Sequence, residues 1–133
     1  MAAEPCRRCG RPLPPGATLV TVEVDAELAE AARAVFAGEP RVQVVTGDWR
    51  EALPSRAPFD LLFHDGGPWK QNPDPLPIEL LARGGVLVLD DMTPSRRFEP
   101  DAVRELVLDH PDLAATELLT TAETSAIVAT RRA

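Results

Sequence analysis

Carboxylates recur at one kind of place in this sequence, directly after a run of branched aliphatic residues. Glu23 and Asp25 close TLVTVEV, Asp48 follows RVQVVT by way of Gly47, Asp65 follows FDLLFH, and the adjacent pair Asp90-Asp91 closes VLVL. A carboxylate can cap a helix, hold a cation, accept hydroxyl protons from a sugar, or act as a base. One acid after a strand reads most simply as an N-cap. Asp25 fits that use, with Glu27 in the first turn, where the helix dipole favours an acid. Four such places in succession ask for more, because like charges gathered along one rim repel unless a ligand or cation joins them. The expectation is that Asp90 and Asp91 face a cleft rather than a core. Close by in sequence, Lys70 is either a general base or a solvated loop lysine, and the second reading is preferred. His64 is a substrate-side residue or a packed one, and Trp69 walls an aromatic substrate or only covers its loop.

The elements that would position these groups follow from period. TLVTVEV is β-branched and reads as a strand, and Leu28, Ala31, Ala32 and Val35 recur at helical spacing until Gly38 and Pro40. RVQVVT is a second strand, DWREAL a short helical turn ending at Pro54, and FDLLFH a third strand. A loop with Gly66, Gly67, Pro68, Pro73 and Pro75 leads to IELLAR, expected as a helix closed by Gly84-Gly85, and VLVL is a fourth strand. The unbroken runs Leu61–Phe63 and Val86–Leu89 predict strands covered on both faces. Asp101 caps a helix carrying Val103, Leu106 and Val107, and ATELLTT with SAIVAT reads as an antiparallel hairpin. Alternating strands and helices predict an α/β fold built on a mostly parallel sheet with that hairpin at its C-terminal end. In such a sheet ligands bind beyond the carboxyl ends of the strands, which is where the acids fall.

Composition limits the partners. The 133 residues fit one domain, expected over 18–133, after a proline-rich, irregular segment 1–17. A net charge of −7 argues against nucleic acid held through its phosphates, and the pairs Arg96-Arg97 and Arg131-Arg132 read as solvated surface. Nothing approaches the ~20 consecutive apolar residues of a membrane span, so no membrane partner is expected. Met1 to Pro5 lacks a secretory pattern, and a cytoplasmic location follows by default. Cys6 and Cys9, in CRRCG, supply half of a zinc set with no second pair, and do not begin a helix after a strand as a redox motif would.

Five segments, TLVTVEVDAELAEAARAVF, RVQVVTGDWREALP, FDLLFHDGG, LLARGGVLVLDDMTP and TELLTTAETSAIVATRR, together resemble the class I S-adenosylmethionine-dependent methyltransferases. They are most similar to the small O-methyltransferases of the catechol O-methyltransferase-like group, over about residues 13 to 131. The resemblance implies a Rossmann-like sheet, S-adenosylmethionine as cofactor, and a small-molecule methyl acceptor. By position, Glu23 with Val24 matches the acid segment at the donor ribose, and Gly47, Asp48 and Trp49 match the segment at its adenine. Asp65 matches the acid near the methionine portion, which in metal-dependent members also binds a divalent ion such as Mg2+. Asp90 and Asp91 match the other two metal ligands, although the usual family pair is Asp-Asn. Lys70 is the counterpart of a lysine that in the family lies closer to the matching aspartate, and with Asp65 it forms the candidate catalytic set.

The resemblance starts at Leu13, where the family would already be at its second strand, so an N-terminally truncated sheet without the first strand and its glycine-rich loop is expected. The strand so missing would lie between TLVTVEV and FDLLFH. Those two must then pair directly or each leave unpaired backbone at one edge. Weak donor binding and a strained or homodimer-dependent fold are the expected consequences. A non-catalytic remnant serving as a scaffold for a partner chain is the alternative. A nicotinamide-dependent dehydrogenase fragment fits Glu23 but neither the LDDM ending nor the hairpin.

Overall fold

The structure, a computed structural model, describes residues 13–65, 67–94 and 99–133. The CRRCG cysteines, the prolines up to Pro12, Gly66 and the Arg96-Arg97 pair lie outside the described residues. The chain divides into two compact units between Ser55 and Arg56.

In the first unit, β1 (Leu19–Glu23) and β2 (Val42–Thr46) pair in parallel, Leu19 opposite Val42 and Glu23 opposite Thr46. The crossover is α1 (Ala26–Phe36), which starts where an aspartate can satisfy its first orphan N–H groups. Asp25 Oδ1 accepts from the amides of Glu27 at 2.8 Å and Leu28 at 3.1 Å. Arg33 ties the helix to β2, donating to the Thr46 hydroxyl at 2.6 Å and the Val44 carbonyl at 3.3 Å. The apolar spacing of α1 does not mark its covered side. Ala29 is fully buried, whereas Leu28 is 59% and Val35 58% exposed. A short helix, α2 (Trp49–Ala52), follows β2. Residues 13–17 carry no helix or strand, as their prolines require. They are fastened by Arg41, which donates to the carbonyls of Leu13 (3.0 Å) and Pro14 (3.1 Å) while Glu39 grips its guanidinium at 2.7 Å. That grip holds the Glu39 carboxyl below its ordinary pKa and raises Arg41.

The second unit is a four-stranded sheet in the order β3–β4–β6–β5, with β3 Phe59–His64, β4 Leu81–Met92, β5 Leu113–Leu119 and β6 Ser125–Arg131. β3 and β4 are parallel, and the expected hairpin β5–β6 is antiparallel and joins β4 through β6. Between β3 and β4 lie a 3-10 turn, Gly67–Gln71, and α3 (Leu76–Glu79); α4 (Ala102–Leu108) precedes the hairpin. The α/β class, the parallel pairing and the terminal antiparallel hairpin are therefore as expected. β1 has β2 as its one ladder partner and β3 has β4, so each sheet ends on a strand with one edge unladdered among the described residues.

Two local expectations are corrected. IELLAR is not a helix running to the glycines. α3 ends at Glu79, and Leu81 already pairs with Phe59, whose amide donates to the Leu80 carbonyl at 2.8 Å. Burial of Leu80 and Leu81, 4% and 1% exposed, outweighs their helix propensity. A Cβ on Gly85 would lie 2.7 Å from the Phe59 carbonyl oxygen, so only glycine lets the two backbones approach at the start of the ladder. Nor is β3 covered on both faces. Leu62, in register with Leu87 and through it with Ala129, is buried, while Leu61 and Phe63 are 63% and 60% exposed. An apolar run thus conceals a one-sided strand.

The core of this unit gathers Leu62, Trp69, Leu87, Leu89, Val107 and Ile127. Beside it, Arg104 is 6% exposed and fully engaged. It forks onto Glu117 at 2.8 and 2.9 Å, meets Asp101 at 2.8 Å and donates to the Thr93 carbonyl at 2.9 Å. The Ser125 hydroxyl completes Glu117 at 2.5 Å. The contact with Glu117, then that with Asp101, raises the Arg104 pKa further above its already high value. Arg131 is also not free surface. Its guanidinium donates to the carbonyls of Ile78, Glu79 and Leu81, the nearest at 2.7 Å, and so satisfies the C-terminal end of α3. Arg132 donates to the Leu113 carbonyl at 3.0 Å.

Candidate functional site

Parallel pairing puts the carboxyl ends of paired strands at one edge, so each unit brings its own acids together. In the first unit the edge follows Glu23 and Thr46. Glu23 is half-buried, its Oε1 accepts from the Asp25 amide at 2.9 Å, and its backbone carbonyl accepts from the Gly47 amide at 3.0 Å. The other carboxylate oxygen has no hydrogen bond among the described residues, so it can receive a hydroxyl. Gly47 has φ 148°, a conformation that L side chains rarely adopt, and it turns the chain out of β2 into Asp48. Asp48 caps α2, its Oδ1 accepting from the Arg50 amide at 2.8 Å. Trp49 is half-buried with the Arg50 guanidinium 4.8 Å from its ring centroid. Val24 is 78% exposed. Both acids therefore have local structural work, and one oxygen of Glu23 is left over from it.

In the second unit the edge follows His64 and Leu89, the last rung of the β3–β4 ladder. Asp65 and Asp90 are the next residues of each strand. β4 carries one extra residue against β6 here, since Leu89 faces Ile127 but Met92 faces Ser125. Asp91 sits in that bulge with φ 53°. Aspartate is among the few residues that tolerate the left-handed region, which accounts for its presence without a ligand. Asp90 Oδ1 is turned onto the Asp91 amide at 2.9 Å.

Lys70, near the end of the 3-10 turn, is half-buried, and its tip is turned back onto the backbone of the strand ends. Its ammonium donates to the backbone carbonyls of Asp65 (3.2 Å), Asp90 and Asp91 (3.3 Å). Three acceptors around Nζ suit the three donors of the charged form, which has no lone pair with which to take a proton. Trp69, the preceding residue, is 1% exposed and packs 4.9 Å from the His64 ring, and its indole N–H donates to the Asp74 carbonyl at 3.2 Å. It is a core residue and does not wall a substrate. The Lys70 contacts and the Arg104 fork carry no signal in the sequence, because both depend on the turn and the sheet order.

The expected metal set fits poorly. Among the described residues no group of three His, Cys, Asp or Glu side chains is placed to hold an ion. Asp90 is turned to a backbone amide, Asp91 is exposed in the bulge, and a cationic side chain lies across the carbonyls between them. The ribose-binding role fits better, since Glu23 keeps an acceptor at the end of the first strand.

Comparison with family profiles and with curated protein sequences gives no match. Solved structures do match. A candidate O-methyltransferase from Klebsiella pneumoniae superposes with a TM-score of 0.73 at 25% identity, over 91% of this chain and 64% of that one. A methyltransferase from Geobacter sulfurreducens gives 0.67 at 17% identity, over 87% and 59%. The C-terminal domain of a precorrin-6Y C5,15-methyltransferase from Rhodobacter capsulatus gives 0.59 at 21%, over 88% and 70%. The chain spans less than two thirds of the first two proteins. These likenesses show a Rossmann-like methyltransferase fold.

Proposed function

We propose that the protein is an S-adenosylmethionine-dependent methyltransferase acting on a hydroxyl of a small molecule. The observation that carries the reading is Glu23, a half-buried carboxylate at the carboxyl end of β1 with one oxygen committed to the Asp25 amide and one unoccupied by the fold. An acid so held can accept both hydroxyls of a ribose without rearranging, which lowers the ordering cost of binding. Gly47, Asp48 and the half-buried Trp49 follow the neighbouring strand of the same edge and form the adenine side. When bound, the donor supplies a methyl group on a sulfonium sulfur, ready for in-line displacement. The protein's part is then alignment and removal of the acceptor's proton.

Calorimetry with S-adenosylmethionine tests the reading. The chain should bind the donor, and Glu23→Gln, which keeps the shape and removes the charge, should weaken binding about tenfold, in line with the loss of charge-assisted hydrogen bonds worth roughly 1.5–3 kcal/mol. Equal affinity of the two proteins would overturn the role of Glu23, and no heat at millimolar donor would overturn the reading.

A non-catalytic scaffold is the second reading, favoured by the exposed Leu61 and Phe63 on one face of β3. Under it the chain self-associates, as a homodimer for example, or binds a partner without binding the donor, which sedimentation alongside the same calorimetry separates.

A further inference from the structure

The Lys70 ammonium lies across the carboxyl edge of β3 and β4, on the carbonyls of Asp65, Asp90 and Asp91. Those carbonyls stand just beyond the last β3–β4 rung and at the β4 bulge, where the regular ladder is interrupted. Asp65 and Asp91 are exposed and Asp90 is half-buried, so these acceptors are open to water or to a cation. The anionic side chains of the same three residues favour the cation. Among the described residues no side-chain set for an ion forms at this point, while a positive charge is present.

We propose that Lys70 is the fixed cation of this edge. Its ammonium does what a divalent ion would do for the backbone there, holding the 3-10 turn Gly67–Gln71 and the Asp90–Asp91 bulge in one arrangement, so the edge works without Mg2+. Lys70 is accordingly a positioning residue and not a base. The inference rests on the methyltransferase reading only for its bearing on methyl transfer, since the tether itself concerns this chain alone.

Lys70 follows Trp69, whose indole is anchored in the core, so the start of its side chain is fixed by packing. A side chain pinned at its base and hydrogen-bonded at its tip to two strands loses little further freedom when the edge is used. A hydrated Mg2+ would have to displace an ammonium that is covalently part of the fold, and it gives up its waters reluctantly.

Two measurements on the full chain test this, and neither needs the donor. Electron paramagnetic resonance with Mn2+ as the probe should find no saturable site on the wild-type chain at up to about 1 mM, the weak end of the range of functional divalent sites. A stoichiometric site that saturates within that range would overturn the proposal. Hydrogen exchange should then compare wild type with Lys70→Met and Lys70→Arg. Met should speed exchange of amides in 67–71 and 90–92 by at least tenfold while leaving 126–131 unchanged, and Arg, which keeps the charge and donors, should recover most of the protection. Unchanged exchange in Lys70→Met, or a loss in Arg equal to that in Met, would overturn it. Donor binding is scored separately, so its failure would remove the methyltransferase reading and leave both results standing.

Discussion

At the scale of single residues, the same type of side chain serves very different ends according to what its second atom meets. Asp25, Asp48 and Asp101 are caps, each accepting from the amides that begin a helix, and any short acid after a strand would read the same way. Glu23 differs by one atom, the oxygen its own turn does not use. Arg104 is the residue on which most converges, and it carries a clear prediction. Arg104→Leu should lower stability by about 3–5 kcal/mol, because it strands Glu117 and Asp101 in a low-exposure site. Replacing Glu117 by Leu in the same chain should return part of the loss, since a half-buried carboxylate that has lost its cation costs more than a missing pair. Urea unfolding of the wild type and the two variants checks both statements. Glu39 makes a smaller, pH-dependent contribution. Its folded pKa is depressed by Arg41, so the stabilisation is present above the ordinary carboxylate pKa and is lost as pH falls through the lowered folded value. A carboxyl titration by NMR should place Glu39 below the ordinary carboxylate range.

At the scale of elements, β3 separates what a hydrophobic run suggests from what it means. Leu61, Leu62 and Phe63 are equally apolar in sequence, yet they alternate sharply in exposure because successive side chains leave a strand on opposite sides. Leu62→Ala should therefore cost about 2–5 kcal/mol. Phe63→Ala, at the larger residue, should cost under about 1 kcal/mol. Equal losses in thermal unfolding would mean that the outer face is covered after all. The helix expected at IELLAR fails for a related reason. Propensity is local and weak, whereas pairing of Leu81 with Phe59 and burial of two leucines depend on a strand more than twenty residues earlier. The boundaries of α1 and α4, by contrast, were legible because their caps lie next to them in sequence.

At the scale of the whole molecule, the two units differ in what they bury. In residues 13–55, Ala29 alone falls among the fully buried apolar side chains, while the second unit encloses a leucine-rich core around Trp69. Stability should be distributed accordingly. Amides of β1 and β2 should exchange with solvent at least tenfold faster than those of β4 and β6 under native conditions, as elements with few buried contacts open first. Similar protection in both units would refute this. No helix among the described residues is long and apolar enough to cross a membrane.

The order of strands and helices, the acids after each strand and the closing hairpin were determined by the sequence alone, because period, caps and turns are written within a few residues of where they act. The resemblance to methyltransferases rested on that order and is matched by the fold. What each acid does, which face of β3 is bare, and where Lys70 ends were decided only by tertiary structure. Those outcomes depend on strand register, on one extra residue in β4 and on a buried tryptophan ahead of a lysine, and none of these is a property of neighbouring letters.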